Sequence, residues 1–274
     1  MSIEKEEQEQ EQEQEQEKEV VPRLEILYQD EYLVAVNKPA GLLVHRTAIA
    51  AGQTELFALQ LLRDQIGRYV YPLHRLDRPT SGVLLFALDE ETTRLVKEAF
   101  ATRQVHKRYL ALVRGYTTES GTIDYPLEKW VDRKVKKKKM AKLGEGKTLE
   151  RQEAVTHYTR LGTAELPIPV GRYDTSRYSL VDITIETGRT HQIRRHFNHI
   201  AHPLVGDHRY GDNQHNRMFR ERLGLPPLFL LAYHLGLSHP YTKRPLAIEA
   251  PPSRNESWVQ ACHSLGIEGQ LQSL

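Results

Sequence analysis

The stretch His74-Arg75-Leu76-Asp77-Arg78-Pro79-Thr80-Ser81-Gly82 runs directly into Val83-Leu84-Leu85-Phe86-Ala87-Leu88. A Pro-Thr-Ser-Gly turn ahead of an apolar run reads as a loop feeding a buried strand. In extended chain, residues two apart share a side. Arg75 and Asp77 are therefore expected to project one way, and His74 and Leu76 the other. A lone carboxylate flanked by arginines fits a catalytic group and also a structural salt bridge, and local chemistry favours the salt bridge.

Upstream, order is expected from Pro22. Leu24–Tyr28 and Tyr32–Val36 read as short strands around a Gln29-Asp30-Glu31 turn, and Asn37-Lys38-Pro39-Ala40-Gly41 is strong turn chemistry. Thr54 is a candidate N-cap for a helix with Leu56, Leu59, Leu62 and Ile66 on one face, ending at Gly67. Downstream of the central stretch, Asp89 is placed to cap a second helix whose buried face carries Leu95, Val96, Ala99 and Phe100. His106–Gly115 reads as a strand with Tyr109, Ala111 and Val113 on one face and Leu110 and Leu112 on the other. Further strands are expected from Thr122, over Glu153–Leu161, Tyr178–Ile185, Leu228–Leu237 and Pro245–Glu249. Thr190 is expected to cap a helix with Ile193, Phe197 and Ile200 on its buried stripe, and a last helix holds Trp258. Gly206-Asp207 and Gly211-Asp212 read as tight turns. Strand pairs joined by short turns, with helices interspersed irregularly, argue an α+β fold with a mixed, largely antiparallel sheet.

Composition narrows the function. Residues 4–19 hold nine Glu, two Lys and five Gln, a local charge of −7, against +2 for the whole chain, so the remainder carries +9. The tract has no apolar stripe and is expected to be a disordered tail over 1–21. A basic body fits a polyanion such as RNA, and also an ordinary soluble surface. The single cysteine, Cys262, excludes an internal disulfide and a Cys-rich zinc site. No apolar run approaches the roughly 18 residues that span a bilayer, and no apolar leader opens the chain, so a cytosolic protein is expected. A basic stretch from Arg133 to Lys147 reads as an insertion loop at about 132–150: either a solvated loop or a phosphate-contacting arm. The domain is expected to span 22–266, with a short tail over 267–274.

Familiar sites are missing. His191, His196, His199 and His202 lack the His-Glu-x-x-His pattern and any i, i+4 pair, so no metal site is expected. No Gly-x-Gly-x-x-Gly or Walker-type loop is present, and Ser81 is not in a Gly-x-Ser-x-Gly elbow.

Four segments come in order: Asn37-Lys38-Pro39-x-Gly41; His74-Arg75-Leu76-Asp77-Arg78-x-Thr80-Ser81-Gly82; Lys107-Arg108-Tyr109; and Gly188-Arg189-Thr190-His191-Gln192-Ile193-Arg194. Together they resemble the RluA-type RNA pseudouridine synthases, from about Arg23 to about Gly266. The resemblance implies the pseudouridine synthase fold with a central catalytic cleft, no cofactor, and conversion of a uridine in RNA to pseudouridine after base flipping. It places Asp77 at the catalytic aspartate, Tyr109 at the tyrosine that stacks on the target base and is implicated in proton removal, and Arg194 at the basic partner of the aspartate. Arg75 matches an arginine that contacts RNA around the extruded nucleotide, and Leu230 an apolar wall of the pocket. Arg78, Thr80, Asn37, Lys38, Arg189 and His191 are the further candidates for substrate binding. Where many relatives have Leu-His-Ala on the late strand, this chain has Leu230-Leu231-Ala232, which questions one contact behind the site. Leu24–Pro39, Gly171-Arg172-Tyr173, Arg195-His196 and Gly206-Asp207 are similar to the TruC branch, whose members modify uridine 65 of tRNA. A tRNA partner is thus expected first and ribosomal RNA second, with a monomer acting away from membranes. A non-catalytic RNA-binding or RNA-folding protein, and a metal-free glycosidase-type hydrolase with a second carboxylate, are the readings from other classes.

Overall fold

A computed structural model describes residues 22–45, 57–130, 150–225, 228–272 and 274. The acidic tract, Thr54 with Leu56, and the basic stretch from Arg133 to Lys147 lie outside the described residues.

The chain runs β1 (Glu25–Gln29), β2 (Leu33–Lys38), α1 (Ala58–Ile66), β3 (Tyr71–Pro72), β4 (Ser81–Ala87), α2 (Glu90–Ala101), β5 (His106–Arg114), β6 (Ser120–Asp124), β7 (Leu127–Glu128) and β8 (Arg151–Gln152). It continues through β9 (Val155–Leu166), β10 (Ser176–Ile185), α3 (Gln192–His199), α4 (Asn213–Leu223), β11 (Leu230–Ser238), β12 (Pro245–Glu249) and α5 (Glu256–Leu265). The main sheet has the order β1-β2-β4-β11-β5-β10-β9-β6, with β12 on β11 and β3 on β4. Its pairs are antiparallel except β4 with β11, where Leu231 faces Ser81 and Ala232 faces Gly82. The α+β expectation with a largely antiparallel sheet holds.

Alternation along the strands sorts the core into two faces. Tyr109, Ala111, Val113, Val181, Ile183, Leu230 and Ala232 pack on one side, with Ile193 and Phe197 of α3. Leu110, Leu112, Tyr178, Leu180 and Leu231 pack on the other, against α4 and α5 through Phe219, Trp258 and Cys262. All seven residues of β4 are buried, as its apolar run predicts. Gly82 has φ 110°, and a Cβ there would run into the backbone of Ala232, so the parallel pairing of β4 with β11 requires glycine.

Several local expectations need correction. Asp89 caps α2 by accepting from the Thr92 N–H, as expected. Thr190 does not cap α3; His191 occupies that position at φ 56°, with no side-chain cap. The reason is Gln192, whose amide oxygen accepts from Arg189 N at 3.0 Å and from the Thr187 hydroxyl at 2.7 Å, and so satisfies the entry itself. The Gly211-Asp212 turn is the start of α4: Asp212 accepts from Gln214 N and His215 N. Residues after Gly266 do not hang free, because Ile267 and Leu271 are apolar and pack into the core with α5.

Candidate active site

Asp77 stands on the loop that enters β4, and two neighbouring segments hold that loop. Thr80 N donates to Asp77 O at 3.0 Å and closes the turn. Gly41 N donates to Arg78 O at 2.8 Å, and Arg78 Nε returns a bond to Gly41 O at 2.9 Å. Gly41 makes its turn at φ 89°, which glycine adopts without strain. Lys38 is fully buried beneath these loops. Its Nζ donates to Pro39 O, Leu42 O and Arg78 O at 2.8, 2.8 and 3.2 Å. Burial pulls the Lys38 pKa down to about 7, against which Asp77 pushes it up. Three carbonyl acceptors use all three hydrogens of the ammonium, so the loop is built around the charged form.

Arg194 comes from α3 and lies between two aspartates. Its Nη1 donates to Asp77 Oδ2 at 3.1 Å. Its Nε and Nη2 form a fork on Asp207, at 2.7 and 2.9 Å. Burial disfavours the Arg194 charge, but Asp207 and then Asp77 outweigh it and hold the pKa above the ordinary value. Asp207 Oδ1 also accepts from Arg209 N and Tyr210 N, at 2.8 and 3.1 Å. Asn216 of α4 braces the same loop, accepting from Gly206 N and donating to Asp207 O. The guanidinium stacks 5.3 Å from the Tyr210 ring centroid.

The helix that carries Arg194 is also fixed from β9 and from Tyr125, which follows β6. Gln192 Nε2 donates to Val155 O and Thr156 Oγ1 at 2.9 and 3.0 Å. His196 is fully buried between Thr156 Oγ1 and Tyr125 O, at 2.9 and 3.0 Å, and burial lowers its pKa. It is a packing residue, not a solvent-facing one. His191 contacts Tyr210 Oη at 3.0 Å and sits 3.9 Å from Asp77 Oδ1. Burial lowers its pKa to about 4 despite Asp77, so at neutral pH it is an uncharged neighbour of the carboxylate.

These side chains surround an open cavity of about 90 Å³. Arg75, Asp77, Thr80, Tyr109, Arg189, His191, Arg194 and Leu230 all line it, with Ile185. Of the sequence-derived candidates, Lys38, Asn37 and Arg78 lie outside it. Lys38 supports the loop from below, Asn37 donates to Glu25 Oε2 at 2.8 Å, and Arg78 bonds Gly41 O. Tyr109 is buried, and burial followed by the Asp77 charge raises its pKa, so the phenol keeps its proton at neutral pH. Leu231 points away from the cavity into the opposite core, so the apolar residue there is no loss of a contact at the site. Asp207 and Asn216 escaped sequence reasoning as site components; the Gly206-Asp207 turn was their only trace. Asp77 is the sole carboxylate on the cavity wall among the described residues, and among those residues no group of three metal-ligating side chains occurs.

An arginine-held aspartate facing a buried tyrosine in a small cavity, on an α+β sheet, is the frame of an enzyme. A family model described as RNA pseudouridylate synthase matches residues 32–199, which include Asp77, Tyr109 and Arg194. The chain belongs to that family: it is an RNA pseudouridine synthase of the RluA type, an isomerase. It is 51% identical to tRNA pseudouridine synthase C of Vibrio cholerae over 248 residues, covering 90% of this chain and 98% of that protein. Against the protein of the same name from Haemophilus influenzae it is 49% identical over 245 residues, covering 89% and 99%. Among solved structures, human RNA pseudouridylate synthase domain containing 4 superposes with a TM-score of 0.62 at 27% identity, over 88% of this chain and 93% of that one.

Proposed function

We propose that the protein converts one uridine of tRNA to pseudouridine, at position 65, and that Asp77 is the nucleophile. The observation that carries the role of Asp77 is its pairing with Arg194, itself fixed by Asp207. A carboxylate nucleophile must be held on target, and a permanently charged guanidinium pinned on its far side by Asp207 does that for Asp77. The tRNA substrate rests on the names and identity of the relatives from Vibrio cholerae and Haemophilus influenzae. Position 65 rests on the likeness to the TruC branch. The ribosomal RNA and non-catalytic readings have no relative of that kind behind them. A glycosidase-type hydrolysis would need a second carboxylate across the cleft, and Asp207 is committed to Arg194.

In the isomerisation the C1′–N1 bond breaks, the base turns, a C1′–C5 bond forms, and the C5 proton is lost while N1 gains one. The uracil must first leave its stack, which costs a few kcal/mol. Tyr109 supplies a ring face for the extruded base, and Leu230 and Ile185 close the apolar side. Arg75 and Arg189 are exposed or half-exposed cations on the rim and suit the RNA backbone. Among the described residues no helix is long and apolar enough to cross a membrane.

The test is incubation of the purified full chain with unmodified tRNA transcripts, followed by pseudouridine mapping. Wild-type protein should modify one position, and Asp77→Asn should bind the same transcript and modify none. Unchanged uridine at every position with wild-type protein, or full activity in Asp77→Asn, sinks the reading.

A further inference from the structure

Beside the cavity at Asp77 lies a larger one of about 490 Å³. The two share Arg75, Tyr109 and Arg189 in their walls. The second cavity extends past Tyr109 to Lys107 and to Phe100, whose ring stacks on His74 with centroids 5.4 Å apart. Its cations are not equivalent. Arg103 pairs with Glu153 and Glu186, at 2.8 and 3.6 Å. Arg189 Nε donates to Glu153 O at 2.9 Å. Glu186, the carboxylate in this wall, is taken by Arg103 and by His157 at 2.8 Å.

Lys107 and Arg75 differ from these. Among the described residues, neither side chain has an ion pair or a hydrogen bond. Lys107 is also half-buried, and burial lowers its pKa, with no anion among the described residues acting against it. A desolvated cation without a partner is unfavourable in a folded protein and is rarely tolerated without a role. Its place gives one. Lys107 and Tyr109 are two residues apart on β5 and so share a face, about 6.6 Å along the strand. A base extruded onto Tyr109 would leave its own backbone at the mouth of the first cavity, with the second adjoining it through Arg75, Tyr109 and Arg189.

We propose that this second cavity is the seat of the phosphodiester flanking the target uridine, held by Lys107 with Arg75. The proposal rests on the reading of the first cavity as the uridine site. It assigns Lys107 to RNA backbone binding, a role distinct from base stacking by Tyr109 and from the ion pair at Asp77.

The experiment uses Lys107→Gln and Lys107→Arg in the full chain, with an unmodified tRNA transcript and binding measured over a series of KCl concentrations. One lost phosphate contact should make the slope of log affinity against log salt shallower by about 0.7–0.9 and weaken binding about five- to eightfold at 0.1 M salt. Lys107→Arg should keep the slope. In kinetics the loss should fall on the tRNA concentration giving half-maximal rate. Inorganic phosphate at matched ionic strength should compete no better than chloride, because the site is completed by RNA held at both cavities. A folded Lys107→Gln with wild-type slope and affinity overturns the proposal, as does a loss confined to the maximal rate. If Lys107→Gln does not fold, Arg75→Gln must show the shallower slope or the proposal fails. Asp77→Asn, run alongside, separates the two readings. If wild-type protein makes no pseudouridine while the Lys107 slope change persists, the isomerase reading of the first cavity is lost and the phosphate site stands.

Discussion

Replacing Asp207 by Asn tests whether the pairing of Asp77 with Arg194 depends on a residue outside the cavity wall. Arg194 is 6% exposed and Asp207 1% exposed, so the fork between them is screened very little by water. Removing one partner of such a pair strands the other charge and costs about 3–5 kcal/mol. Asparagine keeps an oxygen for the Arg209 and Tyr210 N–H groups, but its amide nitrogen then faces an Arg194 donor. The lower end, about 3 kcal/mol, is therefore expected. For a domain of this size that is a fall in Tm of roughly 6–12 °C. Arg194 would keep Asp77 as its one carboxylate partner and shift towards it, and a displacement of about 1 Å at a reacting group costs on the order of a hundredfold in rate.

The pH dependence provides a separate readout. Burial works to raise the Asp207 pKa, but the Arg194 hydrogen bonds and charge, with the two N–H groups, leave it lowered overall. A carboxylate with a depressed folded pKa contributes stability that is complete above its unfolded pKa, about 3.9, and is lost as pH falls through the folded value. The gap between wild type and Asp207→Asn should thus be full at pH 7 and shrink below about pH 4. Thermal unfolding across pH, together with single-turnover pseudouridine formation at saturating tRNA, measures both effects. A variant within about 0.5 kcal/mol of wild type, turning over at the wild-type rate, would refute the idea that Asp207 positions Arg194.

Gly82→Ala should destabilise by on the order of 3 kcal/mol or abolish soluble expression, because its Cβ meets the Ala232 backbone at a positive φ; denaturant unfolding measures it. Lys38→Met should cost on the order of 3 kcal/mol by removing the buried donor shared by the Pro39, Leu42 and Arg78 carbonyls, with a loss of turnover as the Asp77 loop loosens; urea unfolding and single-turnover assays check both. His74 accepts from Leu85 N at 3.1 Å, and its pKa is lowered to about 4, first by burial and then by Lys107. A histidine buried neutral contributes stability that is complete above about pH 6.5 and lost as pH falls towards 4. His74→Gln should flatten that decline by on the order of 3 kcal/mol, read from unfolding between pH 7 and 4.

What the sequence disclosed depended on how local the cause was. The two-residue alternation of β5 put Tyr109 on one face and Leu110 on the other, and both packed as that period demands. Asp89 capped α2 because the cap needs only the next three residues. α4 was missed because its stripe is thin: Asn216, Met218 and Phe219 are its buried residues, and a polar Asn-Gln-His-Asn opening hides the period. Thr190 lost the capping position to its neighbour because Gln192 reaches back to the chain from inside the helix, a contact that propensity does not encode. The burial of His196 depended on Tyr125 and Thr156, which lie far off in sequence. The pairing of Asp77 with Arg194, across 117 positions, came from family resemblance alone.

The supports of Asp77 divide into one that survives any working pH and one that does not. Lys38 holds the loop from beneath by three carbonyls, but burial has brought its pKa to about 7. Were it to lose a proton, one of its three carbonyls would lose this donor, while the bonds between Gly41 and Arg78 and the Thr80 N–Asp77 O turn would remain. Arg194 cannot lose its charge in this range, yet a lone guanidinium on a helix would be free to choose other rotamers. Asp207 removes that freedom by engaging two of its nitrogens, leaving Nη1 directed at Asp77. Asp207, opposite Asp77, thus converts a permanent charge into a positioned one. The loop after α3 is in turn held by Asn216 of α4, so a helix that touches neither cavity belongs to the framework that keeps Arg194 aimed at Asp77.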